Sequence, residues 1–116
     1  MASLFFAFNN LHMVVMCKYM IKSINGKITK DLVNNGTSKR FPPRLEKRAI
    51  LLLMALSDVS TFEDLKKICE PPSLKIHKLK GGLKDFWSIT IEKPWCIIFK
   101  YTEGNFTDVE VGDYHD

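Results

Sequence analysis

Residues 86–101 read Phe86-Trp87-Ser88-Ile89-Thr90-Ile91-Glu92-Lys93-Pro94-Trp95-Cys96-Ile97-Ile98-Phe99-Lys100-Tyr101, two β-branched and aromatic runs parted by a proline turn. Successive side chains of a strand point to opposite faces. Trp87, Ile89 and Ile91 therefore share one face of the first run, and Trp95, Ile97, Phe99 and Tyr101 share one face of the second. Cys96, Ile98 and Lys100 fall on the other side. Glu92-Lys93-Pro94 turns the second run back on the first, which predicts an antiparallel pair.

The same reading extends outward. Gly104-Asn105 turns the chain again, and Phe106 to Val111 forms a strand that runs into Gly112-Asp113-Tyr114-His115. Residues 74–79 form a strand before Gly81-Gly82, so the C-terminal part is a meander. The preceding part is helical. A first strand, Met20–Ile24, breaks at Asn25-Gly26; a brief helix covers Lys27–Val33 and stops at Asn34-Asn35-Gly36. A longer helix follows Pro42-Pro43, because proline fits a first helical turn. Its segment Ala49–Leu56 is apolar without interruption and calls for cover on more than one side. Ser60 and Glu63 have capping-box spacing for a third helix, ended by Pro71-Pro72. Helices followed by a run of strands predict an α+β domain with one sheet face packed on helices and the other available to a ligand.

A chain of 116 residues fits one domain with one modest core. Seventeen Lys and Arg against 13 Asp and Glu leave a net charge of +4, a weak general pull on a polyanion. The charges are segregated: five basic residues and one acid from Lys39 to Arg48, four lysines and no acid from Lys75 to Lys84, five acids and no lysine or arginine from Glu103 to Asp116. Such runs suit phosphate binding beside an acidic end, and they equally suit solvated faces. Cys17, Cys69 and Cys96 are odd in number and lack zinc-site spacing, which points to a reducing, cytoplasmic setting and to no metal site. Met1–Tyr19 is apolar but interrupted by Asn9, Asn10 and His12, without a basic start. It suits neither a signal peptide nor a membrane span. The expectation is that residues 1–19 are upstream sequence read from an early start and that 20–116 form the folded domain; the competing expectation is an arm covering an apolar face.

Two clusters carry candidate chemistry. Asp113-Tyr114-His115 places a carboxylate, a phenol and an imidazole at the end of a strand. His77-Lys78-Leu79-Lys80-Gly81 adds a second imidazole and ammonium groups at another. Each has an ordinary structural role as well: His77 as a half-buried strand residue, Asp113 as a turn acceptor, Tyr114 as packing at a sheet edge. Trp87 and Trp95 belong with the core by alternation. Lys75, Lys78 and Lys84 suit general phosphate attraction.

His77-Lys78-Leu79-Lys80-Gly81, Phe86-Trp87-Ser88-Ile89, Pro94-Trp95 and Asp113-Tyr114-His115, in this order, resemble the motifs of HigB toxins in the RelE/ParE toxin superfamily. The resemblance covers roughly Met20–His115. It implies a small curved, mainly antiparallel sheet backed by two or three helices and a type II toxin that cleaves messenger RNA in the ribosomal A site. It also implies a HigA-like helix-turn-helix antitoxin, which would connect the toxin to DNA only indirectly, and no membrane partner. Such cleavage needs a base for the 2′-hydroxyl, positive charge at the phosphorus and an acid for the leaving 5′-oxygen, and needs no cofactor. The resemblance gives acid or base roles to His77, Asp113 and His115 and a phosphate-orienting or base-stacking role to Tyr114. Lys80, with Lys78, Lys84 and Lys100, would bind RNA phosphates.

One position departs from that pattern. HigB toxins commonly carry an arginine after the tryptophan that opens the penultimate strand, where this chain has Cys96. A thiol offers neither the planar fork nor the permanent charge of a guanidinium. An attenuated nuclease, or a catalytically decayed protein that still binds its antitoxin, is therefore an open reading. A ParE-like gyrase poison is a further one, and His77 with Asp113-Tyr114-His115 argues against it.

Overall fold

The computed structural model describes residues 21–58, 61–68 and 76–114. Among the described residues three helices come first: α1 (Lys27–Asn35), α2 (Pro43–Asp58) and α3 (Phe62–Ile68). Strands β1 (Ile76–Lys78), β2 (Trp87–Glu92), β3 (Trp95–Thr102) and β4 (Asn105–Asp113) follow, with a 3₁₀ turn at Gly81–Leu83 between the first two. The strands pair antiparallel in the order β1-β2-β3-β4, so the α+β expectation holds. The expectations for residues 1–20, 59–60, 69–75 and 115–116 lie outside the described residues.

The alternation in β2 and β3 sorts the sheet as the sequence predicts. Ile89, Ile91, Ile97 and Phe99 are buried together with Val109 and Val111 of β4 and with Leu32, Leu45, Ala49, Leu53 and Leu56 of the helices. α2 lies on this face against β2, and Arg48 donates to the Ile91 carbonyl at 2.9 Å. Its apolar run is not covered all round: Ile50, Leu52 and Leu53 are buried, while Leu51 is 48% exposed. α1 leans on β4, where the buried Thr29 Oγ1 accepts the Val111 N–H at 2.8 Å. That bond satisfies a backbone donor deep in the fold.

Several local expectations shift. The first segment is not a regular strand: Ile21 and Ile24 make isolated parallel bridges to Phe106 and Val109 of β4. Its ladder is broken where β4 bulges at Asp108, a residue at φ 52° whose N–H turns to Ser23 Oγ at 2.8 Å. The last hairpin turns at Glu103-Gly104, both at positive φ, and Asn105 already belongs to β4. Positive φ at both turn residues suits a two-residue hairpin, because its twist matches that of the strands. α1 extends to Asn35 before Gly36, at φ 77°, ends it with an N–H bond to Leu32. Thr61 caps α3 by accepting the Asp64 N–H at 3.0 Å, while the expected cap, Ser60, lies outside the described residues.

Candidate functional site

Cross-strand register lays out the face away from the helices. One row runs His77, Ser88, Ile98, Glu110 across all four strands. A neighbouring row runs Thr90, Cys96, Gly112. Tyr114 extends from the end of β4 onto this second row, because Gly112 leaves room for its ring: a Cβ at Gly112 would lie 2.4 Å from Tyr114 Cε2.

This face is not wholly open. Leu79, Leu83, Phe86 and Tyr114 fold over Cys96 and Ile98 and form a second small apolar cluster. The turn after β1, with Gly81 at φ 65°, returns the chain so that Leu79 N–H bonds the Phe86 carbonyl at 2.9 Å. Cys96 keeps only 5% of its surface exposed. The position where the family pattern expects a guanidinium is thus a buried thiol.

His77 is half-buried at the edge strand, with its Nδ1 inside the protein and its cross-strand neighbour Ser88 almost fully buried. Tyr114 is half-buried at the opposite edge of the described sheet. Three strand spacings, about 14 Å, separate them across the sheet, and Tyr114 lies four residues beyond the His77 row along the chain from Glu110. The two side chains flank ground whose floor is Ser88 and Ile98. Burial, then a hydrogen bond to Glu110, then the nearby Glu110 charge and Cys96 push the Tyr114 phenol up to about 12. At neutral pH it is therefore a neutral phenol and no base.

The remaining expected residues divide. Asp113 is exposed opposite Trp95, whose ring packs edge-on against Phe41 at 5.0 Å on the helix side. By alternation Asp113 and Tyr114 leave β4 toward different faces. Lys78 stands opposite Trp87, and its ammonium lies 5.8 Å from that ring centroid, again away from the His77 row. Lys80 and Lys84 are exposed on the turn beside β1. Lys100 shares the Cys96 face but is engaged there: its ammonium is 3.8 Å from Asp108 Oδ2 and 5.1 Å from the Phe86 ring centroid. His115 lies outside the described residues.

Two arginines of the basic run, both on α2, are also committed elsewhere. Arg44 pairs with Glu92, which raises the guanidinium and lowers the carboxyl through their hydrogen bond, and Arg48 binds the Ile91 carbonyl. Both contacts lie at the β2–β3 turn, with α2 on the sheet face opposite the His77 row. Glu110 escapes the motif reading altogether, and Ser88 and Gly112, though inside the quoted stretches, are given no part in the site by it. Their shared parity with Ile98 and Cys96 in the paired strands is the signal that could have found them.

A family model described as the RelE-like toxin of type II toxin-antitoxin system HigB matches residues 22–115. The chain is 30% identical over 96 residues to the endoribonuclease HigB of Proteus vulgaris, across 83% of this chain and 100% of that protein. It is also similar to crystal structures of E. coli YafQ, alone and in the DinJ-YafQ complex. Each is 19% identical with a TM-score of 0.48, over 82% of this chain and 92% of that chain.

Proposed function

Because the chain belongs to the HigB-like family of RelE-like toxins from type II toxin-antitoxin systems, we propose that it is a ribosome-dependent endoribonuclease that cuts translated messenger RNA. The similarity to an endoribonuclease over that relative's full length carries this reading. Its partners are then the ribosomal A site with its message and a HigA-like helix-turn-helix antitoxin, all in the cytoplasm.

Cleavage proceeds by the substrate's own 2′-hydroxyl. A base removes its proton, the oxygen bonds to the adjacent phosphorus, and the bond to the 5′-oxygen breaks as an acid returns a proton to that leaving group. His77 and His115 are the proposed proton-transfer pair, because an imidazole can accept a proton at one nitrogen and donate one from the other. Asp113, exposed at the end of β4, assists from the rim. Tyr114 meets the RNA as a neutral group, for hydrogen bonding or stacking. Lys80 and Lys84 draw the phosphates to the β1 side.

Purified protein should cut message on programmed ribosomes far faster than naked RNA. A 2′-deoxy substitution at the cleaved nucleotide should block the reaction, and His77→Ala or His115→Ala should abolish it. Equal rates on naked RNA would overturn the ribosome dependence, and cutting of the deoxy substrate would overturn the chemistry.

A second reading has one observation in its favour. Cys96 is buried in an apolar cluster, so this site lacks a charge that the family pattern places there. A slow or inactive toxin that retains antitoxin binding would follow.

A further inference from the structure

The pleat of β1 turns Lys78 away from His77, toward the sheet face on which α3 packs. Trp87, opposite Lys78 in the register, is half-buried there and stands edge-on to Phe62 of α3, with ring centroids 4.8 Å apart. The Lys78 ammonium lies 5.8 Å from the centre of the indole. From α3 the Lys66 ammonium lies 5.9 Å from the same indole and 5.2 Å from the Phe62 ring. At this range an aromatic ring attracts a cation. Two exposed lysines, one from a helix and one from a strand, thus converge on one tryptophan at the β1 edge of the described sheet. Lys66 has an acid close by, Glu63 Oε1 at 3.7 Å, in a pair whose carboxylate side chain is 77% exposed. A pair so open to water holds its cation weakly. Lys67, exposed in the same last turn of α3, adds further positive charge.

We propose that Lys66 and Lys78, framed by Trp87 and Phe62, form a phosphate-binding site for the backbone of ribosomal RNA on the sheet face opposite the His77 row. The proposal rests on the ribosome dependence put forward above and adds a second contact surface to it. Charge decides the class of occupant: two convergent ammonium groups suit a polyanion, which releases counterions as its phosphates are neutralised. Position decides which polyanion. Message held for cleavage lies on the His77 face, so RNA met by the other face is that of the ribosome. The ring contacts also restrain each lysine before binding, so less rotamer freedom is lost when a phosphate arrives. A lysine loose on a surface has no such advantage. One short strand then serves two contacts, because alternation gives His77 to the message and Lys78 to the ribosome.

The test is binding of the full chain to ribosomes that carry no message, measured across a range of salt. Lys66→Met and Lys78→Met keep an apolar stem against the rings and remove only the charge. Each should make the slope of log affinity against log salt shallower by roughly one, and the double variant by about two. Lys66→Arg with Lys78→Arg should keep the parent slope, since a guanidinium both stacks on aromatic rings and pairs with phosphate. Glu63→Gln, which removes the competing carboxylate, should tighten binding. Lys30→Met is the comparison: Lys30 is exposed on α1, which packs on β4 at the other edge of the described sheet. A slope change as large in Lys30→Met as in Lys66→Met or Lys78→Met would mean general attraction and overturn the site. On programmed ribosomes the double variant should cut with a raised KM and the parent kcat. An unchanged slope in a double variant that melts like the parent overturns the proposal; if that variant also holds an antitoxin less well, the patch belongs to a protein partner instead. A parent that binds empty ribosomes through these lysines but cuts no message overturns the ribonuclease reading and leaves the site standing. A parent that does not bind ribosomes at all overturns both.

Discussion

Cys96 faces Gly112 across β3 and β4, and the ring of Tyr114 closes over the pair. The thiol is therefore roofed by a residue proposed to touch RNA. An arginine at this position could not lie flat in the space a cysteine fills. It would have to lift Tyr114 and seek the carboxylate of Glu110, two residues before Gly112 on β4.

Cys96→Arg should therefore lower the melting temperature, by an amount corresponding to roughly 1–3 kcal/mol of overpacking, and raise cleavage per folded molecule. The gain should disappear in Cys96→Arg/His115→Ala. Calorimetry paired with single-turnover cleavage on ribosomes separates the two effects. A folded variant no faster than the parent would show that the missing guanidinium does not limit the reaction.

Thr29→Val should destabilise the protein by about 1–3 kcal/mol, the cost of leaving a buried donor unpaired. The substitution keeps the shape of the side chain but removes the oxygen that accepts the Val111 N–H. Urea unfolding gives the measurement; an unchanged midpoint would mean that water or a shifted backbone replaces the bond.

Lys80→Ala should weaken ribosome-dependent cleavage more than Lys100→Ala. Lys80 is exposed three residues after His77, whereas Lys100 already has Asp108 and the Phe86 ring as neighbours. The Lys100–Asp108 pair is partly exposed, so its loss should change stability by no more than ~1 kcal/mol. Binding to ribosomes should fall as salt rises, with a shallower slope in Lys80→Ala. Equal losses for the two variants would place phosphate contact on β3 as well.

Deletion of residues 1–19 should leave a folded protein with a melting temperature close to that of the full chain. The cut must stop there. Ile21 is buried, bridges Phe106, and is followed by a Lys22 N–H bond to the Phe106 carbonyl at 2.7 Å. A large fall in melting temperature or solubility on removing 1–19 would make that segment a packing element.

Much of the architecture was legible because its causes are local. Gly36, part of the expected stop, ends α1 two residues later than expected, and Pro43 opens α2. What misled was action from a distance. The segment after Met20 has strand composition, but its partner β4 bulges at Asp108, more than eighty residues away, and only isolated bridges form. Lys100 alternates onto the expected face, yet Asp108 from the same bulge claims its charge. Lys78 and His77 are neighbours in one motif, and the pleat sends them to opposite sides.

By itself the sequence determined which residues share each face of β2 and β3, because a strand's two-residue period is a property of the backbone alone. It also determined the family, through motifs whose order survives in one chain. Only the tertiary structure decided that the face bearing Cys96 is partly closed, since burial depends on what else folds back, here Leu83, Phe86 and Tyr114. Likewise the ring of Tyr114 lies over the second row only because Gly112 leaves it room, a contact that no spacing in the sequence announces.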